Sequence, residues 1–118
     1  MIEIMEMKEE DVFYAIENGE FPDNVLLNSR RVVIIMTQDW CPQWIHMAKW
    51  LYDLDADEEI SIFEIVYNTK NYFRDFMKFK ESVFNNYSVP YLRFYKNGKL
   101  TNETNYISEK KFKSLLGA

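Results

Sequence analysis

Residues 32–44 constrain the fold more than any other stretch, because an apolar run with the composition of a strand changes there to a helical pattern. Residues 32–36 are short, continuous and rich in β-branched side chains, which is typical of a strand covered on both faces. After this run the apolar side chains recur at the spacing of one helix face, at Trp44, Met47, Ala48, Leu51 and Leu54. The sequence therefore predicts a buried strand that leads directly into an amphipathic helix.

The only cysteine of the chain, Cys41, lies at the junction between this strand and this helix. Pro42 follows it and suits a first helical turn, where the missing N–H of proline costs no hydrogen bond. The positive end of a helix favours a thiolate, whereas the charge of Asp39 and the rings of Trp40 and Trp44 favour the protonated thiol. Cys41 is therefore a candidate nucleophile, and the alternative is a small apolar residue at a turn.

The remaining patterns continue an alternation of strands and helices. We expect strands at 2–5, 61–67, 91–95 and within 100–107, and helices at 8–18, 72–87 and 108–116, with the helix after Cys41 ending within 54–56. A strand, a helix and another strand in succession imply a parallel crossover, whereas Asn97-Gly98 indicates an antiparallel hairpin. Asn18-Gly19 and Ser108 are typical of a helix end and a helix start. The predicted order is β-α-β-α-β-α-β-β-α in one α/β domain spanning 1–118.

Composition and charge exclude several classes of protein. The 118 residues are 47% hydrophobic and include three Gly and three Pro, which favours one packed domain without linkers. The formal net charge is −5 and no basic patch stands out, so neither nucleic acid nor an anionic membrane is an expected partner. The chain start lacks the pattern of a secretory leader and no run has membrane-spanning length. We expect a cytoplasmic protein that is a monomer or weak dimer.

These features together resemble the thioredoxin family along essentially the whole chain. Trp40-Cys41 matches the family's Trp-Cys before the active-site helix, so Cys41 falls on the attacking cysteine. Pro90, preceded by Val89, falls on the family's cis-proline, which packs against that cysteine and presents the preceding backbone to bound peptide. Residues 94–99 resemble the family's Phe-x-Lys-Asn-Gly hairpin. The resemblance implies a thioredoxin fold, a central mixed sheet flanked by helices, and a substrate site formed by Trp40, Pro42, Gln43, Trp44, Val89 and Pro90.

The departures from the family pattern bear on chemistry. Trp44 replaces the family's resolving cysteine, and Pro42-Gln43 replaces the Gly-Pro between the two cysteines. The resemblance places Ile35 on the family's buried Asp and Ile65 on the buried Lys that pairs with it, and losing both is coherent because either ion alone would be buried and unpaired. Near Asn105 the chain lacks the small glycine that helps to open the family's substrate groove.

Glutaredoxin is the nearest alternative within the same superfamily. Cys41-Pro42 and residues 88–90 (Ser-Val-Pro) resemble its Cys-Pro and Thr-Val-Pro. Glutaredoxins carry a paired-glycine segment after this proline, whereas this chain has the Asn97-Gly98 hairpin and an additional strand and helix at the N-terminus. These differences favour the thioredoxin assignment.

Three functions remain open at this point. Reduction of a disulfide needs attack by one thiolate and resolution by a second thiol, and Cys41 can perform only the first step. The first hypothesis is thiol–disulfide exchange of monothiol type, with a protein or peptide thiol or disulfide as partner and glutathione as a candidate external thiol. The second is a redox-inactive binding or assembly module that uses the same groove. The third is an iron–sulfur site held by Cys41 and glutathione in a dimer, although no resident cofactor or metal is expected.

The other candidate residues have simpler interpretations. His46 is five residues from Cys41, a spacing that points away from the thiol on a helix, so we expect a surface histidine rather than a metal ligand. Trp50 is off the apolar stripe and is expected to be partly exposed, whereas Trp44 is expected to pack. The third set of candidates occupies alternate positions of one predicted strand, at Tyr91, Arg93 and Tyr95. We expect these side chains to be ordinary sheet surface.

Overall fold

A computed structural model describes residues 1–117 and contains one five-stranded sheet with helices on both faces. The strands are β1 (Ile2–Glu6), β2 (Arg31–Thr37), β3 (Ile60–Val66), β4 (Tyr91–Lys96) and β5 (Lys99–Thr104). The helices are α1 (Glu9–Asn18), α2 (Asp23–Leu26), α3 (Pro42–Leu51), α4 (Phe73–Ser82) and α5 (Glu109–Leu116), and a 3₁₀ turn spans Tyr67–Thr69. No helix among the described residues is long and apolar enough to cross a lipid bilayer.

The sheet is mixed, as the sequence predicts. Its strand order is β1-β3-β2-β4-β5, with β3 parallel to both β1 and β2, and β4 antiparallel to both β2 and β5. Every residue of the central strand β2 is buried, which agrees with its continuous apolar composition. β1 and β5 are the edge strands, and both carry charged side chains: Glu3, Glu6, Lys99 and Glu103.

Two apolar layers enclose the sheet, and alternate residues of β2 point into one or the other. Val32, Ile34 and Met36 pack beneath α1, α2 and α4, on what we call the α1/α4 face. Val33 and Ile35 pack beneath α3 and α5, on what we call the α3/α5 face.

Local signals for turns and caps are confirmed. Gly19 ends α1 in the left-handed region at φ 84°, and its N–H donates to the Ala15 carbonyl. Asn97 and Gly98 form the hairpin turn with φ values of 53° and 79°. The Ser108 hydroxyl caps α5 by accepting from the Lys111 N–H at 3.2 Å.

The predicted ends of two helices are wrong, and one short helix was not predicted. α3 ends at Leu51 rather than within 54–56, and α4 ends at Ser82 rather than at 87. Asn85 adopts a left-handed φ of 57°, which a continuous helix does not allow, and the preceding Phe84 turns into the core. Helix α2 is a short element that the expected strands and helices did not include.

The expectation that Tyr91, Arg93 and Tyr95 form ordinary sheet surface is also wrong. All three are buried on the α1/α4 face. The guanidinium carbon of Arg93 lies 3.9 Å from the ring centroid of Phe84, so the segment after α4 covers this side chain.

Candidate functional site

Cys41 occupies the N-cap of α3, and Pro42 is in the first helical turn as predicted. The thiol is only 4% exposed. It donates to the carbonyl oxygen of Val89 across 3.5 Å, and the Val89–Pro90 peptide bond is cis. The residue that can act as a nucleophile and the proline segment expected to face it are therefore in direct contact, although they are 48 residues apart.

The residues expected to bind substrate differ in their accessibility. Trp40 is 61% exposed, and Pro42 and Gln43 are also exposed beside the thiol. Val89 is partly buried and Pro90 is buried. Trp44 packs in the core of the α3/α5 face with 6% exposure, as its position on the apolar stripe predicts.

Hydrogen bonds fix the turn between β2 and Cys41. The Trp40 indole N–H donates to the Gln38 side-chain oxygen at 2.5 Å, and the Gln38 amide donates to the Tyr67 hydroxyl at 3.1 Å. Burial raises the pKa of Tyr67, and the nearby Cys41 adds to this effect. These contacts hold the indole ring at the edge of the site.

A reciprocal pair completes this turn. The Asp39 backbone N–H donates to the Asn68 side-chain oxygen at 2.9 Å, and the Asn68 amide donates to the Asp39 carboxylate at 2.7 Å. Asn68 lies in the 3₁₀ turn after β3. The turn that presents Cys41 is therefore tied to the end of the neighbouring strand β3 as well as to α3.

On the other side of the thiol lies the segment from residue 86 to residue 90, which we call the 86–90 loop. The Asn105 amide donates to the carbonyl oxygens of Ser88 and Pro90 at 3.2 and 3.0 Å, and to the Asn86 side-chain oxygen at 3.0 Å. Asn86 in turn donates to the Asn105 side-chain oxygen at 3.0 Å. Asn105, singled out because the family's glycine is missing here, thus holds the proline segment.

Beneath the site, the expectation that Ile65 lies beside Ile35 on the next strand is wrong. The register of β2 and β3 pairs Ile35 with Glu64, whereas Ile65 belongs to the α1/α4 face. Burial raises the pKa of Glu64 and the charge of Glu6 adds to the rise, while a hydrogen bond from the Tyr52 hydroxyl at 2.8 Å opposes it. Ile35 and the half-buried carboxyl group of Glu64 therefore lie side by side on the α3/α5 face.

The opposite face buries the polar cluster that sequence reasoning missed. Arg93 donates to the hydroxyls of Tyr95 and Tyr91 at 2.8 Å each and forms a salt bridge with Glu20 at 3.1 Å. The Tyr91 hydroxyl donates to Glu103 at 2.7 Å. Burial raises the pKa of Tyr91 to about 12. The sequence signal for this cluster is the Tyr-x-Arg-x-Tyr pattern. It places two hydroxyl groups and one guanidinium group on the same strand face, where they can hydrogen-bond to each other.

The remaining candidates lie apart from the thiol. His46 is exposed, as predicted, and its ring centroid lies 6.1 Å from that of Tyr106. Trp50 is partly exposed and meets Phe112 edge-on at 5.5 Å. Among residues 1–117, no group of three or more His, Cys, Asp or Glu side chains is placed to hold a metal ion.

The chain matches no protein-family model and no curated protein sequence. Its structure is nevertheless similar to solved thioredoxins over nearly its whole length. Thioredoxin O1 from Arabidopsis thaliana superposes with a TM-score of 0.61 at 20% identity, covering 97% of this chain and 95% of that one.

Thioredoxin from Schistosoma mansoni gives a TM-score of 0.61 at 16% identity and covers 98% of this chain and 94% of that one. A mutant thioredoxin from Halobacterium salinarum gives 0.61 at 16% identity and covers 98% and 87%, respectively. At such identities the similarity shows the fold: this chain has the thioredoxin fold, with a mixed five-stranded sheet flanked by helices.

Proposed function

We propose that the protein is a thioredoxin-like thiol–disulfide exchange protein of monothiol type, with Cys41 as its nucleophile. The observation that carries the proposal is the position of the Cys41 thiol, at the N-cap of α3 and 3.5 Å from the Val89 carbonyl. The free N–H groups of a helix N-terminus stabilise a thiolate, which is the attacking species in disulfide exchange.

The exchange requires two thiols in sequence. The Cys41 thiolate attacks one sulfur of a partner disulfide; a new S–S bond forms, the old one breaks, and the released sulfur leaves as a thiolate that takes a proton. An external thiol, with glutathione as the candidate, then attacks the Cys41 sulfur of the mixed disulfide; a Cys41–glutathione disulfide forms and the second partner sulfur leaves as a thiolate that takes a proton. A second molecule of the same thiol attacks the bound glutathione sulfur, so that oxidised glutathione forms and Cys41 leaves as a thiolate. The chain contains no second cysteine for this step, because Trp44 occupies the position of the family's resolving cysteine.

The partner in this proposal is an extended segment of a protein or peptide that carries a thiol or disulfide. Trp40, Pro42 and Gln43 provide exposed surface on one side of the thiol. Val89 and Pro90 form the opposite side, and Trp44 supports the site from the core.

A disulfide-reduction assay with glutathione as resolving thiol tests the proposal. We expect turnover with the wild-type protein and none above background with Cys41→Ser. The urea unfolding midpoints of the two proteins are expected to be nearly equal. Equal rates for the two proteins would contradict exchange chemistry at Cys41.

The alternative is a redox-inactive binding module that uses the same groove, and the burial of the Cys41 thiol favours it. In that case a partner binds Cys41→Ser as tightly as wild type but binds Trp40→Ala less tightly. Covalent capture of the partner through Cys41, reversed by dithiothreitol, would exclude this alternative.

A further inference from the structure

The 86–90 loop lies between α4 and β4 and contacts the Cys41 thiol through Val89. The Cys41 thiol donates to the Val89 carbonyl, and Cys41 is only 4% exposed. Whatever holds Val89 in place therefore also limits how often the sulfur is accessible to a reagent.

Asn105 holds this loop from the β5 side. Its amide group reaches Asn86, Ser88 and Pro90, so its two N–H groups are shared among three acceptors on both sides of Val89. These contacts cross 15 to 19 residues of sequence. These hydrogen bonds therefore fix the 86–90 loop to the end of β5, in addition to the contacts within the loop.

Lys80 holds the same loop from the α4 side. Its side chain is only 1% exposed, and its ammonium donates to the Asn86 carbonyl at 3.0 Å and to the Asn86 side-chain oxygen at 3.4 Å. The charge lies 5.6 Å from the ring centroid of Tyr91 on β4, and Glu81 on its own helix is the acidic group that favours it. The hydroxyl of the same tyrosine is hydrogen-bonded to Arg93 and Glu103. A buried cation that donates to a single loop residue is a strong anchor for that residue.

We propose that Lys80 and Asn105 are positioning residues that hold the 86–90 loop over Cys41 and thereby limit the reactivity of its thiol. The proposal deepens the exchange function and rests on it for its biological meaning. Its physical content is separate, because it concerns access to the thiol and not turnover.

Alkylation of Cys41 by iodoacetamide, measured as a function of pH, tests the positioning role without any substrate. We expect Asn105→Ala and Lys80→Met each to react severalfold faster than wild type at every pH of the series. The matched controls are Asn102→Ala, on β5 shortly before Asn105, and Lys78→Met, exposed on the same helix as Lys80. Both controls are expected to keep the wild-type rate.

Amide hydrogen exchange separates a loosened loop from a loosened protein. Faster exchange confined to residues 86–90 supports the proposal, whereas equally accelerated exchange throughout β2 overturns it, as do unchanged alkylation profiles in both variants. Should Lys80→Met fail to fold, Asn105→Ser takes its place under the same criteria. Failure of the disulfide-reduction assay leaves the alkylation result intact, so the two proposals fail separately.

Discussion

The two faces of the sheet bury different chemistry. The α3/α5 face, which carries Cys41, is apolar around Ile35 and has a single half-buried carboxyl group at Glu64. The α1/α4 face buries two cations, Arg93 and Lys80, among aromatic rings.

This contrast shows where the fold keeps its buried charge. In the thioredoxin pattern the position of Ile35 is a buried acid on the side of the thiol, whereas here the two most deeply buried cations, Arg93 and Lys80, lie across the sheet. Arg93 has Glu20 as its ion-pair partner and Tyr91 and Tyr95 as acceptors, which offsets its desolvation. The surroundings of Cys41 and Ile35 therefore depend on packing, whereas the centre of the opposite face also depends on polar contacts.

The largest effect is expected from placing the family's acid back on the site face with Ile35→Asp. A carboxylate there is buried beside Glu64 and has no cation partner, so we expect a loss of about 4 kcal/mol of unfolding free energy at neutral pH. Burial raises the pKa of such a group, so the loss shrinks as pH falls towards the pKa of an unfolded Asp, about 4. Urea unfolding across this range measures the effect.

Ile35→Val serves as the control for this substitution and is expected to lose about 1 kcal/mol at every pH. If Ile35→Asp were as stable as Ile35→Val at neutral pH, the site face would tolerate a buried charge and the contrast between the faces would not hold.

Removal of the guanidinium on the other face with Arg93→Met is expected to cost about 3 kcal/mol, because Glu20, Tyr91 and Tyr95 lose their shared partner. Arg74→Met, which removes an exposed arginine from α4, is the control and is expected to change stability by less than about 0.5 kcal/mol. Urea unfolding at neutral pH compares them. Similar midpoints for both variants would show that the polar cluster contributes no net stability.

Lys80 is expected to make stability depend on pH. Burial lowers its pKa from 10.5 to about 8, so between these values the unfolded chain holds the extra proton and the free energy of unfolding rises with pH. Above pH 10 the raised pKa of Tyr91, about 12, has the opposite effect. We expect the rise from pH 8 to 10 to be about 2 kcal/mol smaller in Lys80→Met than in wild type. Parallel stability curves for the two proteins would contradict this assignment.

The smallest effect is expected at Glu64. Its raised pKa means that stability is fully present below the pKa of an unfolded Glu and is lost as pH rises through the folded value. Glu64→Gln should remove this dependence, with a change below about 1 kcal/mol between pH 4 and 7. The exposed Glu59→Gln is the control in the same urea titration, and a wild-type slope that survives Glu64→Gln would assign the dependence elsewhere.

Local patterns were sufficient for the elements that position the thiol. The β-branched run of β2, the Cys41-Pro42 helix start and the Asn97-Gly98 turn each act over a few residues. Their conformational preferences do not depend on the rest of the chain, so they could be predicted from the sequence.

The buried cluster on the α1/α4 face could not be predicted in this way. Alternation along β4 indicates that Tyr91, Arg93 and Tyr95 share a face, but it does not indicate whether that face is covered. Coverage depends on Phe84 and on Glu20, which is 73 residues from Arg93.

The hydrogen bonds between Asn105 and the 86–90 loop could not be predicted for the same reason. Asn86 and Asn105 are isolated polar residues without any periodic signal, and they meet only because β5 ends beside the proline segment. The wrong placement of Ile65 has a different cause. A shift of one residue in the strand register moves a side chain to the opposite face of the sheet.

The edge strands have a consequence for association between copies of the protein. Unpaired strand edges are templates on which further strands can add without limit, leading to fibrous aggregates. β1 presents Glu3 and Glu6, and β5 presents Lys99 and Glu103. Two copies meeting through β1 would bring like charges together across the new ladder, and two meeting through β5 would have to desolvate a lysine and a glutamate each. Open-ended polymerisation is therefore opposed at both edges of the sheet by the charged side chains of the edge strands.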